Sequence, residues 1–271
     1  MIELFEQDVQ SISRQSSKGN QLKWKNQDMW YKADYTGYEG LAEYVVSKLI
    51  ESSTLPENLK VSYDLEEIRY KSSIYQGVQS KNFLEEGWSL ITLERLFHSM
   101  FGESLYKALF QIEDHKDRLI FLVNQVERIT GIQAFGCYMN QVLTIDALFL
   151  NEDRHTHNLA VLMNGQGEFE LCPIFDHGAA LLSDTTLDYP LTEDVIQLVD
   201  EVKAKTISVD FEEQLDISEE LYGENLKFSF SKREVERILG SVTEYSVEEV
   251  TRVKEILYLQ MRKYPYLFVE K

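Results

Sequence analysis

The sequence predicts an α+β protein in which a β-rich N-terminal lobe precedes a mainly helical C-terminal lobe. Two observations support this prediction. Short apolar runs between polar turns fill the chain up to Trp88, and longer segments of helical period follow it. A length of 271 residues and a hydrophobic content of 44% are sufficient for two lobes that share a cleft. We therefore expect a bilobal fold, with residues 1–88 in the first lobe and residues 89–271 in the second.

The first lobe is predicted to contain a small sheet and one prominent helix. The runs "LKW" and "MWYKA" flank the polar "KNQD" and predict a β-hairpin. Trp30 and Lys32 lie two positions apart, so their side chains share one face of the strand. "GYEGLAEYVVSKLIESS" has apolar residues at helical spacing. "LPENLKVSYDL" and "EIRYKSSIYQGV" are further strand candidates, and "GVQSKNFLEEGW" is the expected connection to the second lobe.

The second lobe is predicted to be helical except for one hairpin. The helical segments before the hairpin are "LITLERLFHSMF", "SLYKALFQI", "DRLIFLVNQVERITG" and "IQAFGCYMNQVLTIDALFL". The short apolar runs "LAVLM" and "FELCPIF" are joined by the turn "NGQG", which predicts the hairpin. Amphipathic helices are predicted again at "KREVERILGSV" and "SVEEVTRVKEILYLQMRKY".

The composition narrows the function classes and the compartment. A net charge of −19 repels nucleic-acid phosphates, so direct nucleic-acid binding is not expected. There is no apolar run long enough for a membrane span, and the acidic start "MIELFEQDVQ" lacks the basic region of a secretory signal. Cys137 and Cys172 are the only cysteines, which favours a reducing compartment. We therefore expect a cytoplasmic protein.

The stretch "NEDRHTHN" and the predicted hairpin after it indicate a site rich in oxygen ligands. A hairpin brings its two ends together, so Asp153 before it and Asp176 after it are expected to meet, with Asn158 at its base. Carboxylate and amide oxygens suit Mg²⁺, which also binds substrate phosphates. The spacing from Asp153 to Asn158 matches the protein-kinase catalytic loop H-R-D-x-x-x-x-N, and "DHG" at Asp176 stands where D-F-G would stand.

The N-terminal half contains candidates for the remaining parts of a phosphoryl-transfer site. Such a site needs a loop over the phosphates, a strand lysine that touches them, and a helix glutamate that positions the lysine. Lys32 is the candidate lysine, and Glu43 is preferred over Glu39 as its partner because it lies within the apolar helix face. The candidate phosphate loop contains Ser16, Ser17, Lys18 and Gly19.

These motifs together resemble those of the HipA-like serine/threonine kinases. Their catalytic loop is typically D-x-H-x-x-N followed by a P-x-x-D turn, which here correspond to Asp153, His155, Asn158, Pro173 and Asp176. The motifs extend roughly from Ser11 to Gly178 and are specific only in combination. The resemblance implies a bilobal, protein-kinase-like fold that uses ATP and Mg²⁺ to phosphorylate a protein serine or threonine.

The resemblance also implies roles for individual residues. Asp153 would be the catalytic base, Asn158 and Asp176 would bind Mg²⁺, and His155 would orient the loop. Ser11 and Ser13 are candidate autophosphorylation sites. Adenine would lie between the lobes near "GVQSKNF". HipA-type toxins usually carry an extra N-terminal subdomain, and this chain begins almost at the phosphate loop. We therefore expect any such part to be a separate, antitoxin-like or regulatory protein.

Three alternatives remain open at this point. "DRHTHN" is also similar to the D-R-H-x-x-N loop of phosphatidylinositol kinases, which keeps a lipid or small-alcohol acceptor possible. A metal-dependent hydrolase would use three histidines together with Asp153 and Asp176, namely His155, His157 and His177, although no H-x-x-x-H spacing occurs. A non-catalytic pseudokinase is less favoured because both aspartates are present.

Overall fold

The structure, a computed structural model, describes residues 1–10 and 21–269, which form two sheets and a set of helices. Ser11, Ser13 and the predicted phosphate loop of Ser16, Ser17, Lys18 and Gly19 lie outside the described residues. None of the helices in the described ranges combines the length and apolarity needed to cross a bilayer.

The N-terminal sheet has the strand order β1-β4-β5-β3-β2 within the described residues. Its strands are β1 (Ile2–Leu4), β2 (Lys23–Asn26), β3 (Met29–Ala33), β4 (Tyr63–Tyr70) and β5 (Ser73–Lys81). β1 pairs with β4 in parallel, and the other neighbours are antiparallel. Gly77 on β5 faces Ala33, and a Cβ atom at Gly77 would lie 2.1 Å from the backbone oxygen of Lys32. Only glycine therefore lets β5 approach β3 this closely.

Helix α1 (Glu39–Glu51) lies between this sheet and the rest of the molecule. Its apolar residues, among them Leu41, Val45 and Leu49, belong to the large core cluster that also contains most of the buried C-terminal side chains. Backbone hydrogen bonds attach both ends of α1 to later segments. The Tyr38 amide donates to the Ser183 carbonyl over 3.1 Å, and the Thr54 amide donates to the Lys227 carbonyl over 2.9 Å. The smaller cluster on the sheet, which includes Trp24, is separate.

The C-terminal region combines a second sheet with the remaining helices. This sheet has the order β6-β7-β8, from β6 (Trp88–Thr92), β7 (Ala160–Asn164) and β8 (Phe169–Leu171), all antiparallel. The helices are α2 (Leu93–Phe101), α3 (Leu105–Phe110), α4 (His115–Thr130), α5 (Phe135–Phe149), α6 (Val195–Glu201), α7 (Phe211–Tyr222), α8 (Lys232–Leu239) and α9 (Val247–Lys263). Residues 82–87 connect β5 to β6 and therefore link the two sheets.

The predicted elements are largely confirmed, with two corrections. The β2–β3 hairpin, helix α1, the β7–β8 hairpin and helices α3, α4, α5, α8 and α9 lie where the pattern predicts them, whereas α6 and α7 are not among the predicted segments. The helix predicted over "LITLERLFHSMF" is wrong in its first part. Residues up to Thr92 form β6 and pair with β7, and the Thr92 side chain caps α2 by accepting from the Arg95 amide. The strand candidates "LPENLKVSYDL" and "EIRYKSSIYQGV" are wrongly divided, because "YDL" and "EIRY" belong to the single strand β4 and "SIYQGV" belongs to β5.

Candidate active site

The loop between α5 and β7 carries the predicted catalytic residues. Helix α5 ends at Leu150, whose φ of 55° is left-handed, and the chain then folds into a tight loop. Asp153 accepts a hydrogen bond at its carbonyl from the Asn158 side-chain amide over 2.7 Å. The Asn158 backbone amide donates to the His155 carbonyl over 2.8 Å. The loop therefore fixes the amide nitrogen of Asn158 and leaves its amide oxygen as the atom suited to a cation.

The buried side chain of Arg154 stabilises this loop. Its guanidinium is 1% exposed and lies 3.0 Å from the Asp146 carboxylate, which is fully buried on α5. The same guanidinium donates to the Phe175 carbonyl over 2.6 Å and to the Asn158 carbonyl over 3.3 Å. One buried cation thus joins α5, the catalytic loop and the turn that carries Asp176. Burial disfavours the charged form, but the nearby Asp146 carboxylate outweighs it and raises the pKa of Arg154.

Asp176 follows β8 in an unusual backbone conformation. Its φ of 64° is left-handed, which aspartate tolerates better than most residues. The Asp176 carboxylate lies 2.8 Å from the Lys32 ammonium and so joins the C-terminal region to strand β3. Burial opposes ionisation of this carboxyl, but the charges of Lys32 and Lys23 outweigh it and hold the pKa of Asp176 well below its usual range.

Lys32 contacts two carboxylates at once. Its ammonium lies 2.5 Å from Glu43 on α1 in addition to its contact with Asp176. Glu43 is 1% exposed, and its second oxygen accepts from the His177 amide over 3.0 Å. Burial lowers the pKa of Lys32, yet Asp176 and Glu43 outweigh it and hold that pKa well above its usual value. Lys32 therefore stays charged at neutral pH.

Glu39, the other candidate partner of Lys32, binds backbone instead. Its carboxylate accepts from the Thr36 amide over 2.8 Å and from the Gly37 amide over 3.2 Å. It thus stabilises the turn that begins α1. In the structure, Glu43 and not Glu39 is the glutamate in contact with Lys32.

The predicted catalytic and metal-binding side chains line one cleft. Asp153, Asn158 and Asp176 share its walls with Lys23 and Glu39. The remaining residues along this cleft are Gln21, Thr36, Gly178, Ala179, Ser183 and Asp184. Two aspartates that are distant in sequence therefore face the same space, below the β2–β3 hairpin.

Several residues near the site do not appear among the sequence-based candidates. Lys23 pairs with Lys32 in the β2–β3 register, so the predicted hairpin could have indicated a second cation at the cleft. Lys205 lies 3.8 Å from Asp153 and comes from a segment between α6 and α7 in which no pattern indicates a site residue. The buried Arg154–Asp146 pair was also missed, although the position of Asp146 within the apolar run "VLTIDALFL" could have indicated a buried charge that needs a partner.

The three histidines of the region do not form a common cluster. His177 is buried, and its ring lies 3.4 Å from the Arg154 guanidinium. Burial and the Arg154 charge hold the pKa of His177 well below its usual value. His155 lies 3.8 Å from Asp153, and its ring packs edge-on against His157. Across residues 1–10 and 21–269, no group of three His, Cys, Asp or Glu side chains is arranged to hold a metal.

Comparisons with known proteins identify the fold. No protein-family model and no curated protein sequence matches the chain. Among solved structures, it is similar to the Helicobacter pylori proinflammatory kinase CtkA, with a TM-score of 0.62 and 16% identity over 97% of this chain and 94% of that one. It is also similar to HipA of a Shewanella oneidensis toxin–antitoxin system, solved with HipB and operator DNA. That match has a TM-score of 0.56 and 14% identity over 95% of this chain and 66% of HipA. The chain therefore has the bilobal α+β fold of the kinase CtkA and of HipA, as the sequence resemblance predicts.

Proposed function

We propose that this chain is an ATP- and Mg²⁺-dependent kinase that phosphorylates a serine or threonine of a protein. The observation that supports this most is the contact of Lys32 with both Glu43 and Asp176, since Asp176 also lines the cleft that Asp153 and Asn158 line. Phosphoryl transfer needs these groups in this arrangement because catalysis depends on positioning and on neutralising phosphate charge. The fold shared with CtkA, which is described as a kinase, agrees with the proposal.

The cleft residues suit a triphosphate and its cation. Lys32, held by Glu43, would bind the α- and β-phosphates, and Lys23 would add a second positive charge above them. The Asn158 amide oxygen and the Asp176 carboxylate form a hard oxygen donor set that fits Mg²⁺ and would hold it. When bound there, Mg²⁺ would neutralise charge on the β- and γ-phosphates.

Asp153 would act on the acceptor hydroxyl. Its carboxylate accepts the hydroxyl proton while the hydroxyl oxygen forms a bond to the γ-phosphorus. The bond between the γ-phosphorus and the bridging oxygen of ADP breaks, and ADP leaves with that oxygen. Lys205 and His155, each 3.8 Å from the Asp153 carboxylate, would hold that carboxylate in place.

Other parts of the proposal rest on the resemblance. Adenine would lie near the connection between the sheets, where Phe83 packs between the apolar clusters of both regions. The Ser16–Gly19 segment would cover the phosphates, and Ser11 or Ser13 would be the site of autophosphorylation. A separate regulatory protein is also proposed, since the HipA structure contains HipB.

The proposal is tested by incubating the purified chain with Mg²⁺ and γ-labelled ATP. We expect label to enter the chain itself, at a rate at least about 100-fold lower in Asp153→Asn because a positioned general base contributes about 10²–10⁴-fold. Asp176→Asn should also lose the label. Asp200→Asn on the exposed surface of α6 is the matched control and should be labelled like the unmodified chain.

Two outcomes would count against the proposal. Undiminished labelling of both Asp153→Asn and Asp176→Asn would show that these carboxylates do not carry out the reaction. Absence of any label, together with no rise in Tm on addition of ATP and Mg²⁺, would remove the kinase assignment. Label in phosphatidylinositol but in no protein would instead move the acceptor to the lipid class.

A further inference from the structure

A second cavity lies beside the candidate catalytic base. It has a volume of about 670 Å³ and is bordered by α3, the start of α4, the catalytic loop and the segment between α6 and α7. Its lining includes Tyr106, Phe110, His155, Lys205 and Val209. This space is larger than a lone hydroxyl group requires.

The cavity and the cleft adjoin at Asp153. Asp153 lines the cleft, and its carboxylate lies 3.8 Å from Lys205 and 3.8 Å from His155. Lys205 and His155 in turn line the cavity. A molecule in the cavity is therefore one side chain away from the carboxylate that would accept the hydroxyl proton.

One wall of the cavity is apolar although it is open to solvent. Tyr106, Phe110 and Val209 are 48%, 42% and 61% exposed, and all three line this cavity. The Tyr106 and Phe110 rings lie 4.5 Å apart, and the Arg118 guanidinium lies 4.5 Å from the Phe110 ring centroid. Contacts between neighbouring side chains thus hold the rings of this wall in place. A bound molecule that covers the wall would be stabilised in proportion to the apolar area removed from water.

Several polar groups of the cavity are already bonded to protein. The Arg118 guanidinium donates to the carbonyls of Leu109, Ile112 and Ile207. The Glu94 carboxylate accepts from the Thr156 hydroxyl and the Tyr106 amide, and His115 pairs with Glu213. Because carbonyl oxygens engage the Arg118 guanidinium, this arginine offers no free fork to a phosphorylated headgroup. Together with the apolar wall, this favours a partly apolar occupant.

We propose that this cavity binds the segment of a protein substrate around the acceptor hydroxyl. A large apolar side chain near the serine or threonine lies against Tyr106, Phe110 and Val209, while the hydroxyl reaches Asp153. This inference rests on the proposed kinase function and adds the sequence class of the substrate. It selects a peptide with an aliphatic or aromatic residue at a fixed distance from the acceptor, rather than a lipid headgroup.

The test uses a positional-scanning peptide library with one central serine or threonine, the purified chain, Mg²⁺ and γ-labelled ATP. We expect the strongest labelling with Leu, Ile or Phe at one fixed offset from the acceptor. Val209→Asp should lower kcat/KM for the best peptide about tenfold, because it places a charge where an apolar side chain would be buried. The matched control is Ile196→Asp on α6, which is 58% exposed and does not line the cavity. It should retain the kcat/KM of the unmodified chain.

The outcomes separate this inference from the proposed function. Labelled peptides without selection for an apolar residue, or equal selection in Val209→Asp, would overturn the inference alone. The inference would also fail if the chain labelled itself or phosphatidylinositol vesicles but no peptide. The absence of any label and of any ATP-induced rise in Tm would remove the proposed function, and the substrate site with it.

Discussion

Two charged clusters around the catalytic loop differ in how completely the protein closes around them. The Arg154 and Asp146 side chains are 1% and 0% exposed, and Arg154 also donates to the carbonyls of Asn158 and Phe175. Beside the cleft, the Lys32 and Asp176 side chains are 13% and 22% exposed, and the lysine contacts two carboxylates. In the first cluster, the two charges are paired and shielded from solvent. In the second cluster, the charged side chains are partly exposed to solvent.

This difference separates scaffold from reaction site. A buried guanidinium that reaches several carbonyls fixes the relative positions of α5, the loop and the Asp176 turn, and it has little room to exchange partners. Lys32 is charged and partly accessible, so in the proposed function a phosphate would take the place of one of its carboxylates. The two clusters should therefore respond differently to loss of charge, in stability for the first and in rate for the second.

The largest expected effect is on the closed cluster. Asp146→Asn leaves the Arg154 charge buried without its counter-charge, which typically costs about 3–5 kcal/mol of unfolding free energy. The measurement is urea-induced unfolding followed by circular dichroism. Asp176→Asn is the comparison variant. It should lose less free energy of unfolding than Asp146→Asn, because Lys32 keeps Glu43 as a counter-charge and the amide can still accept from Lys32. Equal losses in the two variants would contradict the distinction.

The next effect distinguishes the two glutamates of α1. Glu43→Gln removes the charge that holds Lys32 and should lower the rate of phosphoryl transfer about 100-fold, because small displacements of a positioned group cost about that much. Glu39→Gln should lower the rate less, since the Glu39 carboxylate holds backbone amides of a turn and has no contact with Lys32 among the described residues. Single-turnover kinetics with saturating ATP measure the step. A larger loss in Glu39→Gln would reverse the assignment.

The last prediction concerns the pH dependence of stability, at a half-buried carboxyl. Asp34 accepts from the Tyr245 hydroxyl and the Gly40 amide, and no salt bridge to it occurs among the described residues. Burial and the nearby Glu39 charge raise the pKa of Asp34 to about 7. The unfolded chain releases this proton near pH 4, so the folded state binds the extra proton between about pH 4 and pH 7.

Stability should therefore fall as pH rises through that window, by up to about 1.4 kcal/mol per pH unit from this group alone. Asp34→Asn removes this contribution, and the difference in unfolding free energy between the two proteins measures it from pH 4 to pH 8. Asp64→Asn is the control, because Asp64 is an exposed carboxylate paired with Lys48. A difference that does not change with pH would show that Asp34 is ionised throughout.

The sequence predicts the parts of the site that depend on local periodicity. Lys32 could be selected because side chains alternate between the two faces of a strand, and Glu43 because it lies on the apolar face of the predicted helix. The β7–β8 hairpin explains why Asp153 and Asp176 line the same cleft. Each of these predictions needs only the immediate neighbours of the residue.

The missed features depend on contacts between distant segments. Strand β6 lies in a continuous apolar run that reads equally well as helix, and only its pairing with β7 distinguishes the two. Strand β1 is short and is defined by its parallel partner β4. Lys205 reaches Asp153 from more than fifty positions away, so no local pattern could assign it to the site.

The attachment of α1 at both ends determines which part of the cleft can move. The Tyr38 and Thr54 amides bind carbonyls of Ser183 and Lys227, and the apolar face of the helix shares its core with the C-terminal region. Helix α1 is thus anchored to the C-terminal region, while its other side packs on strands β4 and β5. If the proposed function holds, the Lys32–Glu43 ion pair joins the sheet to this anchored helix, and its distance would report how closely the sheet approaches the helix when a nucleotide binds.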